Sequence, residues 1–249
     1  MSGHNKWSSI KHKKGAADAK RGKIFTKIVK EILVAAREGG GNPEMNPRLR
    51  MAIASAKAAN MPNSNVDKAI KKGSGDMDGV SYDSYVYEGY GQGGVAIIVE
   101  TLTDNKQRTV AEVRHCFSKF GGNMGETGAV GWMFDQKGLI EIKKDGNDEE
   151  ELMMTALDCG ADDLNTDEEN FKVYTPYAEL HNVMKALEAA GYTVEKAELT
   201  RLPQNLVNAD DVAARLLKLL DKLEDLDDVQ KVYSNCEISE EVMERLSED

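Results

Sequence analysis

The first third of the chain repeats apolar residues at the spacing of an α-helix. Between residues 16 and 38 they recur every three or four positions without an intervening proline, and three glycines follow. Asn46 and Pro47 then have the pattern of an N-cap and the first residue of a second helix, and a short third helix is predicted near residues 65–72. Three such helices can share one small core, so we predict a helical domain over residues 16–73.

After residue 82 the apolar pattern changes to that of strands alternating with helices. The β-branched run 95–102 is typical of a strand, whereas Val110, Val113 and Phe117 have helical spacing. Residues 130–134 are predicted to form a further strand.

The segment from residue 139 to residue 199 has the element order β-α-β-β-α-β, which suits a ferredoxin-like unit. Its predicted strands are 139–142, near 164, 171–174 and 192–199, and its predicted helices are 149–158 and 176–190. The tail adds a helix at 212–226 and a strand at 229–233, which we expect to return to the sheet that begins near Tyr85.

Together these patterns predict an α+β fold with three domains. An N-terminal three-helix domain is followed by two α/β domains with ferredoxin-like sheets, the middle one discontinuous. The predicted boundaries are 1–75 for the basic tail and helical domain, 80–136 plus 203–249 for the discontinuous α/β domain, and 137–202 for the inserted ferredoxin-like domain.

Composition excludes several classes of protein. The longest apolar runs, 32–36 and 95–99, are too short to span a bilayer, and the cationic amino terminus lacks the apolar stretch of a secretory signal. The three cysteines are odd in number and far apart, which argues against a disulfide framework. We therefore expect a cytoplasmic protein without a membrane partner.

Charge is distributed unevenly along the chain. The net charge is -11, yet residues 1–75 contain 16 basic and five acidic side chains, whereas the rest contains 16 basic and 38 acidic ones. Such asymmetry points to a polyanionic partner for the basic part. Because displaced counterions supply most sequence-independent affinity for nucleic acid, cations arranged in a row favour phosphate binding.

The candidate nucleic-acid-binding residues are the cations of the tail and of the first two helices, with one aromatic residue among them. Trp7 either stacks on an unpaired base or covers part of the helical core. Four lysines of the first helix recur every three or four positions and share one face. The candidates are Lys6, Trp7, Lys11, His12, Lys13, Lys14, Lys20, Arg21, Lys23, Lys27, Lys30, Arg48 and Arg50.

Motifs for cofactor, metal or catalytic chemistry fail on context or are missing. Residues 89–94 match G-x-G-x-x-G, but a strand pattern follows where a dinucleotide site requires a helix, so we interpret them as a hairpin loop. The four histidines are scattered and no C-x-x-C occurs. We therefore predict no catalytic residue, no metal site and no cofactor.

Several short motifs, taken in order, resemble one family. The matches include Gly3-His4-x-Lys6-Trp7, Lys11-His12-Lys13-Lys14, Asp18-x-x-Arg21-Gly22-Lys23, Asn46-Pro47-Arg48-Leu49-Arg50, Thr103-Asp104-Asn105, Arg108-Thr109 and Asp227-Asp228-Val229-Gln230. They resemble the YebC/PmpR family of probable transcriptional regulators over nearly the whole chain. The resemblance implies a helical domain, two α/β domains and a non-enzymatic regulator of gene expression. Some bacterial relatives bind promoter DNA, others act on ribosomes stalled at proline-rich stretches, and a mitochondrial relative activates translation.

Two positions bear on how far the resemblance extends. Gln92 stands where the family often has proline. No transit sequence precedes Gly3 and His4, so we expect a bacterial-type cytoplasm.

Three functional hypotheses follow from the sequence. The leading one is a nucleic-acid-binding regulator that grips the phosphate backbone with residues 1–75. The second is a ribosome-associated translation factor, in which the basic part contacts rRNA and the acidic domains meet basic ribosomal proteins. The third is a protein-interaction adaptor that uses the acidic α/β domains. Sequence alone does not separate DNA from RNA, and it assigns no oligomeric state.

Overall fold

The computed structural model describes residues 17–75, 81–167 and 169–248. Its helices are α1 (Ala17–Gly39), α2 (Pro47–Ala58), α3 (Asn63–Ser74), α4 (Lys106–Lys119), α5 (Glu149–Asp158), α6 (Leu180–Ala189), α7 (Ala213–Glu224) and α8 (Glu240–Glu248). Its strands are β1 (Asp83–Tyr90), β2 (Ala96–Thr103), β3 (Asn123–Met124), β4 (Phe134–Lys143), β5 (Asp163–Thr166), β6 (Asn170–Pro176), β7 (Val194–Pro203), β8 (Val207–Asn208), β9 (Val229–Ser234) and β10 (Cys236–Glu237). Within these residues no helix is long and apolar enough to cross a bilayer.

The turn between α1 and α2 depends on the side chain of Asn46. Its Oδ1 accepts the backbone N–H of Leu49 at 3.0 Å, which caps α2 as the sequence predicted. Its Nδ2 donates to the carbonyls of Ala35 at 2.7 Å and Gly40 at 2.8 Å, near the end of α1. Because Asn46 is buried, these bonds replace water at two helix ends at once.

One compact unit combines residues 17–34, 81–135 and 203–248. Its sheet has the strand order β3-β1-β2-β9, with β1 and β9 both antiparallel to β2. The tail strand β9 pairs Val232 with Val99 of β2, so the predicted return of the tail to this sheet is confirmed. Apolar residues of α4 and α7 pack against the sheet, with Phe117, Leu216 and Leu220 almost fully buried.

The other compact unit combines residues 35–75 and 136–202. Its sheet has the order β5-β6-β4-β7, which is the strand order of a ferredoxin-like β-α-β-β-α-β unit. Helices α5 and α6 supply Leu152 and Leu187 to the same core as Ile140 of β4. Met51 of α2 also packs against this core.

The predicted fold class is confirmed, since an N-terminal helical region precedes two α/β sheet regions. The two compact units divide α1 after Val34, whereas the sequence-based boundaries keep residues 1–75 together. Those domain boundaries stay a prediction.

The strand predicted at residues 130–134 is wrong. The buried Glu88 carboxylate accepts backbone N–H groups from Gly128, Val130 and Gly131 at 2.6–2.9 Å. These bonds draw the segment around the carboxylate, and residues 131–133 form a 3₁₀ turn. The strand therefore begins only at Phe134.

The glycine-rich segment 89–94 joins β1 to β2 as a hairpin. Tyr90 pairs with Ala96, and Gly93 and Gly94 adopt φ values of 73° and 74° in the turn. Such values favour glycine because a Cβ would be strained there. A strand follows the turn, which confirms the hairpin interpretation and leaves no helix N-terminus for a pyrophosphate.

Candidate nucleic-acid interface

The predicted site residues fall into two groups. Six of them lie outside the described residues, and the side chain of Lys20 on α1 is also not described. These six are Lys6, Trp7, Lys11, His12, Lys13 and Lys14. Arg21, Lys23, Lys27, Lys30, Arg48 and Arg50 can be placed.

Three lysines of α1 contact backbone carbonyls at and beyond the end of α7. Lys23, Lys27 and Lys30 lie at positions i, i+4 and i+7, so their side chains leave the same face of the helix. The acceptors are the carbonyl of Asp225 for Lys23 at 3.0 Å, that of Glu224 for Lys27 at 2.8 Å, and that of Asp227 for Lys30 at 2.9 Å. Cations at a helix C-terminus satisfy its unpaired carbonyls and oppose the negative end of its dipole.

The three contacts become more buried along α1. The side chain of Lys23 is 50% exposed, Lys27 is partly buried, and that of Lys30 is 9% exposed. Burial lowers the pKa of Lys27, against the opposing field of Glu224. The innermost lysine is therefore a packing residue of this unit rather than a surface cation.

The carboxylate of Asp228 accepts hydrogen bonds from Lys30 and from three other side chains. Its Oδ1 accepts Lys30 Nζ at 2.8 Å. Its Oδ2 accepts the guanidinium of Arg108 at 2.6 Å and the hydroxyls of Thr109 at 2.8 Å and Thr103 at 3.1 Å. We call these five residues the Asp228 hub. The hub joins α1, β2, α4 and the turn before β9 through one carboxylate.

Electrostatics favour the charged form of that carboxylate. Burial alone would raise the pKa of Asp228, but hydrogen bonds from Lys30, Arg108 and Thr109 outweigh it and lower the pKa to about 2. The Asp228 carboxylate, and after it Asp104, raises the pKa of Arg108. Asp228 is thus ionised throughout the physiological pH range, and it forms a buried ion pair with Lys30.

An open cleft of about 930 Å³ lies beside these contacts within the same unit. Lys23, Lys27 and Arg108 line it together with the acidic side chains Asp104 and Asp225. Carboxylates next to the cations repel phosphate, so we do not place a nucleic-acid backbone in this cleft.

The two predicted arginines of α2 also contact the chain's own oxygens. Arg48 forms an ion pair with Glu38 at the end of α1. Arg50 donates to the carbonyl of Glu44 at 3.3 Å and is partly buried, and its Nε atom is buried without a hydrogen-bond partner among the described residues. Arg21, by contrast, is exposed and forms no ion pair within the described part of the chain.

Comparison with known proteins identifies the family. A model described as the TACO1/YebC protein N-terminal domain matches residues 5–76, and one described as the TACO1/YebC second and third domain matches residues 82–236. The chain belongs to the TACO1/YebC family. The resemblance drawn from the sequence motifs is thereby confirmed.

Similar proteins cover almost the full length of this TACO1/YebC chain. A probable transcriptional regulatory protein of Geobacter sulfurreducens is 59% identical over 247 residues, covering 99% of this chain and 100% of its own. One of Persephonella marina is 56% identical over 250 residues, with the same coverage. The crystal structure of a conserved hypothetical protein from Aquifex aeolicus is 48% identical, with a TM-score of 0.83, and covers 90% of this chain and 93% of that one. This structural match supports the confirmed fold class.

Three motifs that carried the family resemblance meet at the Asp228 hub. They are Thr103-Asp104-Asn105, Arg108-Thr109 and Asp227-Asp228-Val229-Gln230. Asn105 caps α4 by accepting the N–H of Arg108 at 3.1 Å. The sequence did not predict the hub itself, because its members are separated by up to 198 residues.

Proposed function

We propose that this TACO1/YebC chain is a non-enzymatic, nucleic-acid-binding regulator of gene expression in the cytoplasm, with DNA as its target. The observation that carries the proposal is the segregation of charge, with 16 basic and five acidic side chains in residues 1–75 of a chain whose net charge is -11. The relatives described as probable transcriptional regulatory proteins support the regulatory part of the proposal.

The contacts within the chain narrow the set of residues proposed to bind phosphate. Lys30 is removed from it, because a buried ammonium paired with Asp228 cannot reach a ligand. Lys23, Lys27, Arg48 and Arg50 already donate to the chain's own oxygens, so we assign them chiefly to holding α1 and α2. The proposed phosphate contacts are therefore Lys6, Lys11, His12, Lys13, Lys14, Lys20 and Arg21, with Trp7 available for stacking.

The experiment is a salt titration of full-length protein with a fluorescent, mixed-sequence DNA duplex. The variants replace Lys11, Lys13 and Lys14 together, by Gln in one protein and by Arg in its matched control. Each lost phosphate contact should lower the slope of log affinity against log salt by about 0.9. We expect the Gln variant to bind more weakly with a slope reduced by roughly two to three, and the Arg variant to bind like the parent.

Three results would contradict this proposal in different ways. Unchanged affinity and slope in the Gln variant would remove the tail from the interface. Co-sedimentation with ribosomes at physiological salt, without binding to the duplex, would favour the translation-factor alternative. Retention of a protein partner after removal of residues 1–15, without any nucleic-acid binding, would favour the adaptor. That truncation leaves α1 from Ala17 onward, and with it the contacts to α7.

A further inference from the structure

Helix α3 presents a row of lysines that form no ion pair or hydrogen bond with the residues that the structure describes. Lys68, Lys71 and Lys72 lie at i, i+3 and i+4 in its last two turns, and all three are exposed. None of them forms an ion pair or hydrogen bond within the described residues. In α1, by contrast, the predicted phosphate-binding residues Lys23, Lys27 and Lys30 donate to backbone carbonyls around the end of α7.

The opposite face of α3 is anchored, so the row is held in place. Val66 and Ala69 are buried, and the side chains of Ile70 and Ser74 lie against Gly41 in the turn after α1. At 100° per residue, the buried stripe and the lysine row point away from each other. The backbone carrying these lysines is therefore fixed by packing, while their ammonium groups remain in solvent.

The spacing of the row suits a phosphate backbone. Four residues of helix span about 6 Å, and a nucleic-acid strand places one charge about every 3.4 Å along the duplex axis. Three flexible lysine stems over that distance can reach two or three successive phosphates. The one acidic residue of α3, Asp67, lies four residues before Lys71 at the edge of the row, and the two form no ion pair.

The composition around the row favours a duplex over a single strand. Residues 57–75 contain no aromatic side chain, and proteins that bind single strands commonly combine cations with aromatic platforms for stacking. Lys57, in the last turn of α2, is likewise exposed and without an ion pair in the described residues. The lysines of this face supply charge, which suits contacts to a phosphate backbone rather than to bases.

We propose that the Lys68, Lys71 and Lys72 face of α3 binds the phosphate backbone of double-stranded DNA. The proposal rests on the proposed function and adds to it a binding surface outside the tail and α1. These residues are positioning contacts without base specificity, since lysine heads at phosphates carry no sequence information.

The test compares three triple variants of the full-length chain in the salt titration with duplex DNA. The first replaces Lys68, Lys71 and Lys72 by Gln, and the second replaces the same residues by Arg. The third is a charge-matched control that replaces the exposed Lys119, Lys185 and Lys218 by Gln. Circular dichroism and the melting temperature of each variant report whether the fold is retained.

We expect the first variant to lower the salt slope by about two to three, with weaker binding to every duplex sequence. The Arg variant should bind like the parent, and the control should change the slope by less than about one. If the control lowered the affinity and the salt slope equally, net charge alone would explain the effect, and the proposal would be overturned. An unchanged slope in the first variant, or a loss confined to single-stranded RNA, would overturn it as well.

The tail variant, the α3 variant and the parent protein together test the two proposals separately. If the tail variant weakens DNA binding and the α3 variant does not, the proposed function stands and the α3 surface is wrong. If the parent protein does not bind the duplex at any salt concentration, both proposals fall.

Discussion

Replacing Asp228 by Asn should destabilise the protein far more than the same change at its neighbour Asp227. Asparagine keeps the shape of the side chain but removes the charge that Lys30 and Arg108 approach at 2.8 and 2.6 Å. The pKa of Asp228 is lowered from 3.8 to about 2, and each pKa unit corresponds to about 1.4 kcal/mol. The charged form therefore contributes about 2–3 kcal/mol to the free energy of unfolding at neutral pH.

The loss can exceed that figure, because the substitution leaves the ammonium of Lys30 buried without a counter-charge. Removing one partner of a buried ion pair costs about 3–5 kcal/mol. We expect the free energy of unfolding to fall by about 2–5 kcal/mol in Asp228→Asn, measured by urea titration with circular dichroism. Asp227 is exposed and contributes only its backbone carbonyl to Lys30, so Asp227→Asn should stay within about 0.5 kcal/mol of the parent.

The pH dependence supplies an independent check. Because the folded pKa is below the unfolded value, this stabilisation is complete above the unfolded pKa and is lost as the pH falls toward the folded pKa. The difference between parent and Asp228→Asn should therefore shrink between about pH 5 and pH 2. Equal costs for the two substitutions, or a difference that does not change over that range, would contradict the role assigned to the Asp228 charge.

Three further predictions concern contacts inside the two units. Lys30→Ala should lower the free energy of unfolding by about 3–5 kcal/mol. Lys23→Ala should lower it by less than about 1 kcal/mol, because the side chain of Lys23 is half exposed. Equal losses in urea titrations would contradict the increase in burial along α1. Asn46→Ala should cost about 1–2 kcal/mol through the lost cap, visible as a lower melting temperature, and Asn46→Asp should restore the cap but not the two bonds from Nδ2. Glu88→Ala should leave three backbone N–H groups without their acceptor and speed hydrogen exchange at residues 128–131, an effect that Glu88→Gln should show in weaker form.

The sequence predicted a structural feature correctly where the contacts that determine it are close in the sequence. The periodicity of α5 predicted its bounds at 149–158, and they agree with Glu149–Asp158. The Asn46 cap was likewise readable because its partner Leu49 is three residues away. The order of elements sufficed for the ferredoxin-like unit, because that order allows few ways to pair four strands.

Prediction failed where a distant residue supplied the deciding contact. Residues 130–134 are apolar apart from one glycine and were predicted to form a strand, but the carboxylate of Glu88, about 40 positions earlier, holds residues 130 and 131 in a turn. The spacing and the strand propensity of those five residues carry no information about a carboxylate elsewhere in the chain, so they could not reveal this contact.

Residue identity and spacing along the chain were enough to predict the kinds of elements, their order, the family and the uneven distribution of charge. Which cations remain available to a ligand depends instead on the folded structure. Lys30 and Lys68 are indistinguishable as residues on amphipathic helices, yet one is buried against Asp228 and the other is in solvent. The charge of a lysine is neutralised by the groups that the fold brings within a few ångströms of it. For Lys30 that group is Asp228, which lies 198 positions away in the sequence.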